Sequence, residues 1–166
     1  KTPNDLIFNV AVTEINVEID NHNGIVYSDD FTNIPIRETE SYTISISLTS
    51  SPSHPVTITT TNTNENALSL NPSSVTFTSY DWNNSQTIIV RANYGFTGES
   101  RSGIIGLANA SSNDVAYNSK TPKQNEFRFN VKTTEVNVSI DNYIGDFTNI
   151  SIRDNESYDI RRKNLK

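Results

Sequence analysis

Part of the chain occurs twice. Thr13 to Asp20 reads TEINVEID and Thr134 to Asp141 reads TEVNVSID; Phe31 to Ile44 reads FTNIPIRETESYTI and Phe147 to Ile160 reads FTNISIRDNESYDI. The matches keep turn and charge positions as well as apolar alternation, so shared strand composition does not account for them. A tandem repeat constrains the fold before any single residue does, because each unit must fold by the same rules as its neighbour. Glu135 follows Glu14 by 121 positions and Phe147 follows Phe31 by 116, so five residues around Ile25 to Asp30 are missing from the second copy. A length change confined to one place predicts a loop between two strands. IFNV at Ile7 to Val10 also aligns with RFNV at Arg128 to Val131. Three segments follow: 1–12 as the end of a preceding repeat or a first strand, 13–133 as a complete repeat, and 134–166 as an incomplete second repeat with a basic tail.

Within the complete copy the apolar residues recur with period 2, and no helical periodicity of useful length interrupts them. Ile15, Val17 and Ile19 share one face, as do Ile34 and Ile36, and Tyr42, Ile44, Ile46 and Leu48. Proline ends the last of these runs at Ser51 to Pro55, since it cannot donate to a ladder. Val56 and Ile58, Leu68 and Leu70, Val75 and Phe77, Ile88 and Val90, the run Gly103 to Ala108, and Phe127, Phe129 and Val131 continue the alternation. The intervening segments are Asn-rich and Ser-rich turns, with a type I turn expected at Asn71 and a long loop over Ser111 to Lys123. This pattern predicts an all-β antiparallel sandwich, with a closed barrel as the alternative.

Composition narrows the partners. Net charge is −6, and the one basic cluster (Arg161, Arg162, Lys163, Lys166) is terminal. Nucleic acid and anionic membrane surfaces both require clustered cations, so neither is expected as a partner. No apolar run approaches the length of a membrane span. With no cysteine in the chain, redox compartment is left open. The start at Lys1 without Met reads as a processed or excised product.

The stretch Ser41 to Asn118 resembles a bacterial surface repeat related to the Calx-beta and immunoglobulin-like sandwiches. The residues that carry the likeness are SYTISISLTSSPSHPVTITT, then LSLNPSSVTFTSYDWNNSQTIIVRA, then ASSNDVAYN. The resemblance implies an extracellular or cell-surface bacterial module used in series for stalks or adhesive fibres, and it implies no catalytic residues. In that family an acidic pair commonly follows the Gln-Thr-aliphatic strand, where this chain has Arg91, Ala92, Asn93 and Tyr94.

Candidate sites are few. Ca2+ needs six to eight oxygens converging from loops, and Asp20, Asp29 and Asp30 are an acid-rich group that could converge if the intervening loop folds back, against the reading of a solvated loop. Tyr80, Trp82, Tyr94 and Phe96 are candidates for an aromatic sugar platform, against the reading that Trp82 closes one end of the core. His22 and His54 lie in turns with no Ser or acid at a defined spacing, so no enzyme and no cofactor are expected. The expected function is a non-enzymatic structural module. The alternatives are a glycan- or host-protein-binding module using loops 21–30 and 80–94, and a Ca2+-stiffened module. Neighbouring repeats are the expected partners. Residues 134–160 carry only the first strands of a unit, which points to edge pairing or strand exchange through them.

Overall fold

Eight-residue β3 (Ser41–Leu48) shows how the alternation becomes a core: Tyr42, Ile44, Ile46 and Leu48 are all buried, while the residues between them are partly exposed. The computed structural model describes residues 12–21, 31–95, 101–133, 138–140 and 160–162. The chain divides into two compact units, Lys1–Thr133 and Thr134–Lys166.

In the first unit β3 is flanked by β1 (Ile15–Asn21) and β7 (Gln86–Ala92), and β5 (Leu68–Asn71) completes a sheet of order β1-β3-β7-β5. The second sheet has the order β2-β10-β8-β4-β6, built from β2 (Ile34–Arg37), β10 (Glu126–Lys132), β8 (Arg101–Leu107), β4 (Val56–Asn62) and β6 (Ser74–Phe77). A two-residue strand β9 (Ser111–Ser112) pairs with the start of β4. Among the described residues there is no helix. One core cluster joins the inner faces of both sheets, from Ile15, Ile44 and Val90 on one side to Ile58, Ile105 and Phe127 on the other. The arrangement is therefore a sandwich and not a barrel. Each fully buried Ile, Val or Phe contributes about 1.5–3 kcal/mol of hydrophobic stabilisation.

Three features depart from the sequence reading. The β2–β10 ladder is parallel, pairing Ile34 with Phe129 and Ile36 with Val131. Consecutive strands β1 and β2 belong to different sheets, so β2 reaches its partner by a crossover and not a hairpin, which permits the parallel sense. The Asn71–Pro72 bond is cis, in place of the expected type I turn. Lastly, the segment expected as a loop over Ser111 to Lys123 contains β9. Gly103 has a packing reason: a Cβ there would lie 2.7 Å from Leu68 Cδ1, where β8 faces β5.

The strand directions place the two chain ends of this unit at opposite poles. Ile15 pairs with Leu48 and Asn21 with Tyr42, so β1 runs from the β3–β4 turn to the start of β3. β10 finishes beside that same start, where the Glu38 N–H donates to Lys132 O at 3.2 Å. The chain thus comes in at one pole and goes out at the other, about 20 Å apart along a seven-residue strand.

In the second unit, β11 (Val138–Ile140) pairs antiparallel with β12 (Ile160–Arg162). Val138 is opposite Arg162 and Ile140 opposite Ile160. By the sequence match these positions correspond to Val17 opposite Ile46 and Ile19 opposite Ile44, the pairs of the β1–β3 ladder. The duplicated sequence therefore folds into a duplicated register.

Candidate functional site

The aromatic candidates begin at a tight turn. Asp81 folds back on residues 78–81: its Oδ1 accepts the Thr78 N–H at 2.6 Å and the Thr78 hydroxyl at 2.7 Å. These bonds favour the charged carboxylate and hold its pKa below the usual range. The Trp82 N–H then donates to Thr78 O at 3.0 Å, closing one helical turn that aims the indole at the sandwich. Trp82 is half-buried and packs against the core cluster, whereas Tyr80 is 94% exposed.

Tyr94, 62% exposed, follows the far end of β7. Since β7 spans about 20 Å, the structure does not bring Tyr80 and Trp82 together with Tyr94. The four aromatics cannot form one platform, because a strand separates two turns that are near in sequence only. Phe96 lies outside the described residues, as do Asp29, Asp30 and His22. Asp20 is the penultimate residue of β1, and its Oδ1 is buried without a hydrogen-bond partner among the described residues. Among the described residues no group of three or more His, Cys, Asp or Glu side chains is placed to hold a metal ion.

His54 is exposed and accompanies a polar constellation that superficially suggests hydrolysis. Ser53 Oγ is 3.2 Å from His54 Nδ1 and 2.9 Å from Asp114 Oδ2. The order is wrong for a nucleophile, which needs the imidazole between serine and acid. Here the serine stands between them and gives its proton to the carboxylate.

What Asp114 does is clamp two loops. Its Oδ2 also accepts the Ser53 N–H at 2.6 Å, and Oδ1 accepts the Ala116 N–H at 2.8 Å. Three residues on, the buried Tyr117 donates its hydroxyl proton to Ser50 O at 2.6 Å, and its oxygen accepts the Ser50 N–H at 3.1 Å. Together they tie the β8–β10 connection to the β3–β4 turn at the incoming pole. The Ser53 and Ala116 N–H groups and the Ser53 hydroxyl hold Asp114 below the ordinary carboxylate pKa, with nearby His54 adding a smaller effect; burial opposes them. A depressed folded-state pKa stabilises above the unfolded value and is lost as pH falls through the folded one. Stability measured by urea titration should therefore decline below about pH 4, and Asp114→Asn should flatten that acid limb. An unchanged acid limb in the variant would remove Asp114 as its cause.

The outgoing pole carries a second network. Glu38 and Arg101 form an ion pair at 3.0 Å, with side chains 3% and 18% exposed. The Gly95 N–H donates to the same Glu38 oxygen at 3.0 Å, and Arg101 donates to Asn66 O at 2.8 Å and Asn93 O at 2.7 Å. The sequence signalled one half of this pair, since an acid recurs at Asp154 in the second copy. Nothing local marked Arg101.

The strand orders β1-β3-β7-β5 and β10-β8-β4 reproduce the two sheets of an immunoglobulin-like constant-type sandwich. The first unit is an all-β sandwich. No protein-family model and no curated protein sequence matches the chain. Among solved structures it is similar to a Bacteroides ovatus GH5 xyloglucanase bound to a XXXG heptasaccharide (TM-score 0.43, 10% identity, 76% of this chain and 21% of that one). It is similar also to the class 5 fimbriae chaperone CfaA (TM-score 0.40, 13% identity, 87% of this chain and 66% of that one). A third is a type I cohesin–dockerin complex from Clostridium thermocellum (TM-score 0.36, 8% identity, 78% of this chain and 99% of that one). The chain spans about a fifth of the xyloglucanase's length.

Proposed function

We propose that this chain is a non-enzymatic structural repeat of a bacterial surface protein, used in series as a spacer within a stalk or adhesin. The observation that carries the reading is the pair of opposite poles at which the first unit takes in and releases its chain. A module so built extends an array with each copy and does not fold it back. Its incoming and outgoing poles are each tied by part-buried hydrogen bonds, around Asp114 and Tyr117 at one and Glu38 and Arg101 at the other. The Ser53–His54–Asp114 contacts are accounted for as a loop clamp and do not form a catalytic triad. The Calx-beta-like resemblance of Ser41 to Asn118 and the surface location belong to the same proposal.

Load-bearing geometry gives the test. Tension between Val12 and Thr133 enters through β1 and leaves through β10, each pulled along its own axis, so the β1–β3 ladder and the ladders of β10 with β2 and β8 are sheared, their hydrogen bonds loading together and not one after another. The chain has no cysteine, so Val12→Cys and Thr133→Cys supply unique handles for single-molecule pulling. Rupture should occur in one step, with a lengthening of roughly 400 Å for a unit of about 120 residues. The force should exceed that for handles at Val12 and Ser50, which unzip β1 from β3. Equal forces in the two geometries would remove the spacer reading. A sugar bound on a glycan array and lost in Trp82→Ala with the fold retained would replace it with the adhesive one.

A further inference from the structure

The repeated register raises a question of partner choice. β1 pairs with β3, and β11 pairs with β12 at the equivalent positions. We propose that the first strand of the repeat is exchangeable between molecules: β11 of one chain takes the place of β1 against β3 of a second copy, and the displaced β1 takes the vacated place on β12. The proposal rests on reading the chain as a repeat that assembles with its own kind.

The incoming strand carries what the site requires. Against β3, Ile15 and Ile19 are buried and Val17 packs on the core; the replacing residues are Val136, Val138 and Ile140, one methylene smaller in all. Glu14 accepts the Thr49 N–H through its backbone oxygen and pairs with Lys123 at 2.6 Å, and Thr13 Oγ1 lies 3.5 Å from Ser50 Oγ. Glu135 and Thr134 stand at the matching positions. The one change of charge, Glu18 to Ser139, relieves a strand that also carries Glu14 and Asp20.

Access favours the same site. β1 is an edge strand whose only partner within its sheet is β3; one further backbone bond, from the Lys123 N–H to Ile15 O at 3.0 Å, reaches its first residue from the β8–β10 connection, and residues 22–33 separate it from β2 in the sequence. The other edges offer less: β2, β5 and β6 are each four residues, and β2 contains Pro35. Exchange within one chain is out of reach. Val136 would have to stand in the place of Ile15, a strand's length of about 20 Å from the outgoing pole, and the four steps from Lys132 span at most about 14 Å. The donor is therefore a second molecule. Both ladders survive the trade in equal number, so dimer fraction is set by concentration and by the entropy of the connecting segments.

Two variants of the full chain test this. In the unexchanged ladders Ser45 is opposite Glu18, and Ser139 is opposite Arg161. A 45–139 disulfide thus forms only when β11 lies on β3. The variant S45C/S139C should give an intermolecular disulfide on mild oxidation at high concentration, with its circular dichroism confirming the fold. The variant E18C/S45C ties β1 to β3 within one molecule, across a hydrogen-bonded pair about 5.5 Å apart that suits a disulfide. By sedimentation its oxidised form should lose at least tenfold of the dimer that the parent chain shows, and reduction should restore it. A parent chain that stays monomeric at every concentration overturns exchange, as does a 45–139 bond formed within one molecule. A dimer unaffected by the lock also overturns exchange, while leaving the spacer reading intact; that reading fails separately, by pulling.

Discussion

Glu38→Ala should destabilise the first unit by about 3–5 kcal/mol, measured by urea denaturation near neutral pH. The carboxylate is buried, and its oxygen serves both Arg101 and the Gly95 N–H. Truncation leaves the guanidinium with no carboxylate partner among the described residues, in surroundings where its Nε already has no hydrogen-bond partner among them. Because Arg101 keeps some contact with water, the lower end of the range is expected. The double variant Glu38→Leu with Arg101→Leu should lose less than Glu38→Ala alone, since removing both charges removes the stranded one. Equal losses in the two would show that the pair matters for its volume and not its charge.

Phe127→Ala should cost about 3–5 kcal/mol by the same measurement. The ring is fully buried on β10 and meets Phe31 edge-on, centroids 5.4 Å apart and planes at 83°. The contact is fastened by the backbone, where the Arg128 N–H donates to Phe31 O at 2.7 Å. Truncation therefore opens a cavity that the anchored Phe31 cannot fill. Ile89→Ala supplies the contrast: this side chain is 47% exposed on the outer face of β7, so its loss should stay within about 0.5 kcal/mol. Since such a domain holds only about 5–15 kcal/mol in total, Phe127→Ala alone removes a large part of it.

The alternation of Tyr42, Ile44, Ile46 and Leu48 made the fold class legible because period 2 has one physical meaning, a strand with a buried face. The inner positions of β1, β7 and β10 were readable for the same reason. Sheet membership was not readable. Ile34 and Ile36 look alike whether they face an antiparallel or a parallel neighbour, and the parallel pairing with β10 depends on the path of the whole chain. The candidate aromatics show the same limit: Tyr80, Trp82 and Tyr94 are close in sequence, yet the strand between them carries Tyr94 to the other pole. Asp114 and Tyr117 belong to the stretch ASSNDVAYN, but their partners Ser53 and Ser50 lie more than sixty residues away. No local pattern encodes such a contact.

The parallel ladder between β2 and β10 also sets a timetable. Its paired residues are 95 positions apart, Ile34 with Phe129 and Arg37 with Lys132. On a ribosome adding about 5–20 residues per second, β2 waits roughly 5–20 s for its partner. The β1–β3 ladder, by contrast, is complete once Leu48 has emerged. When Val138 appears, six residues after Lys132, β3 has long been occupied by the strand made first. Order of synthesis thus assigns each first strand to its own module before a near-identical competitor exists, and refolding from denaturant, where both strands are present at once, forgoes that protection.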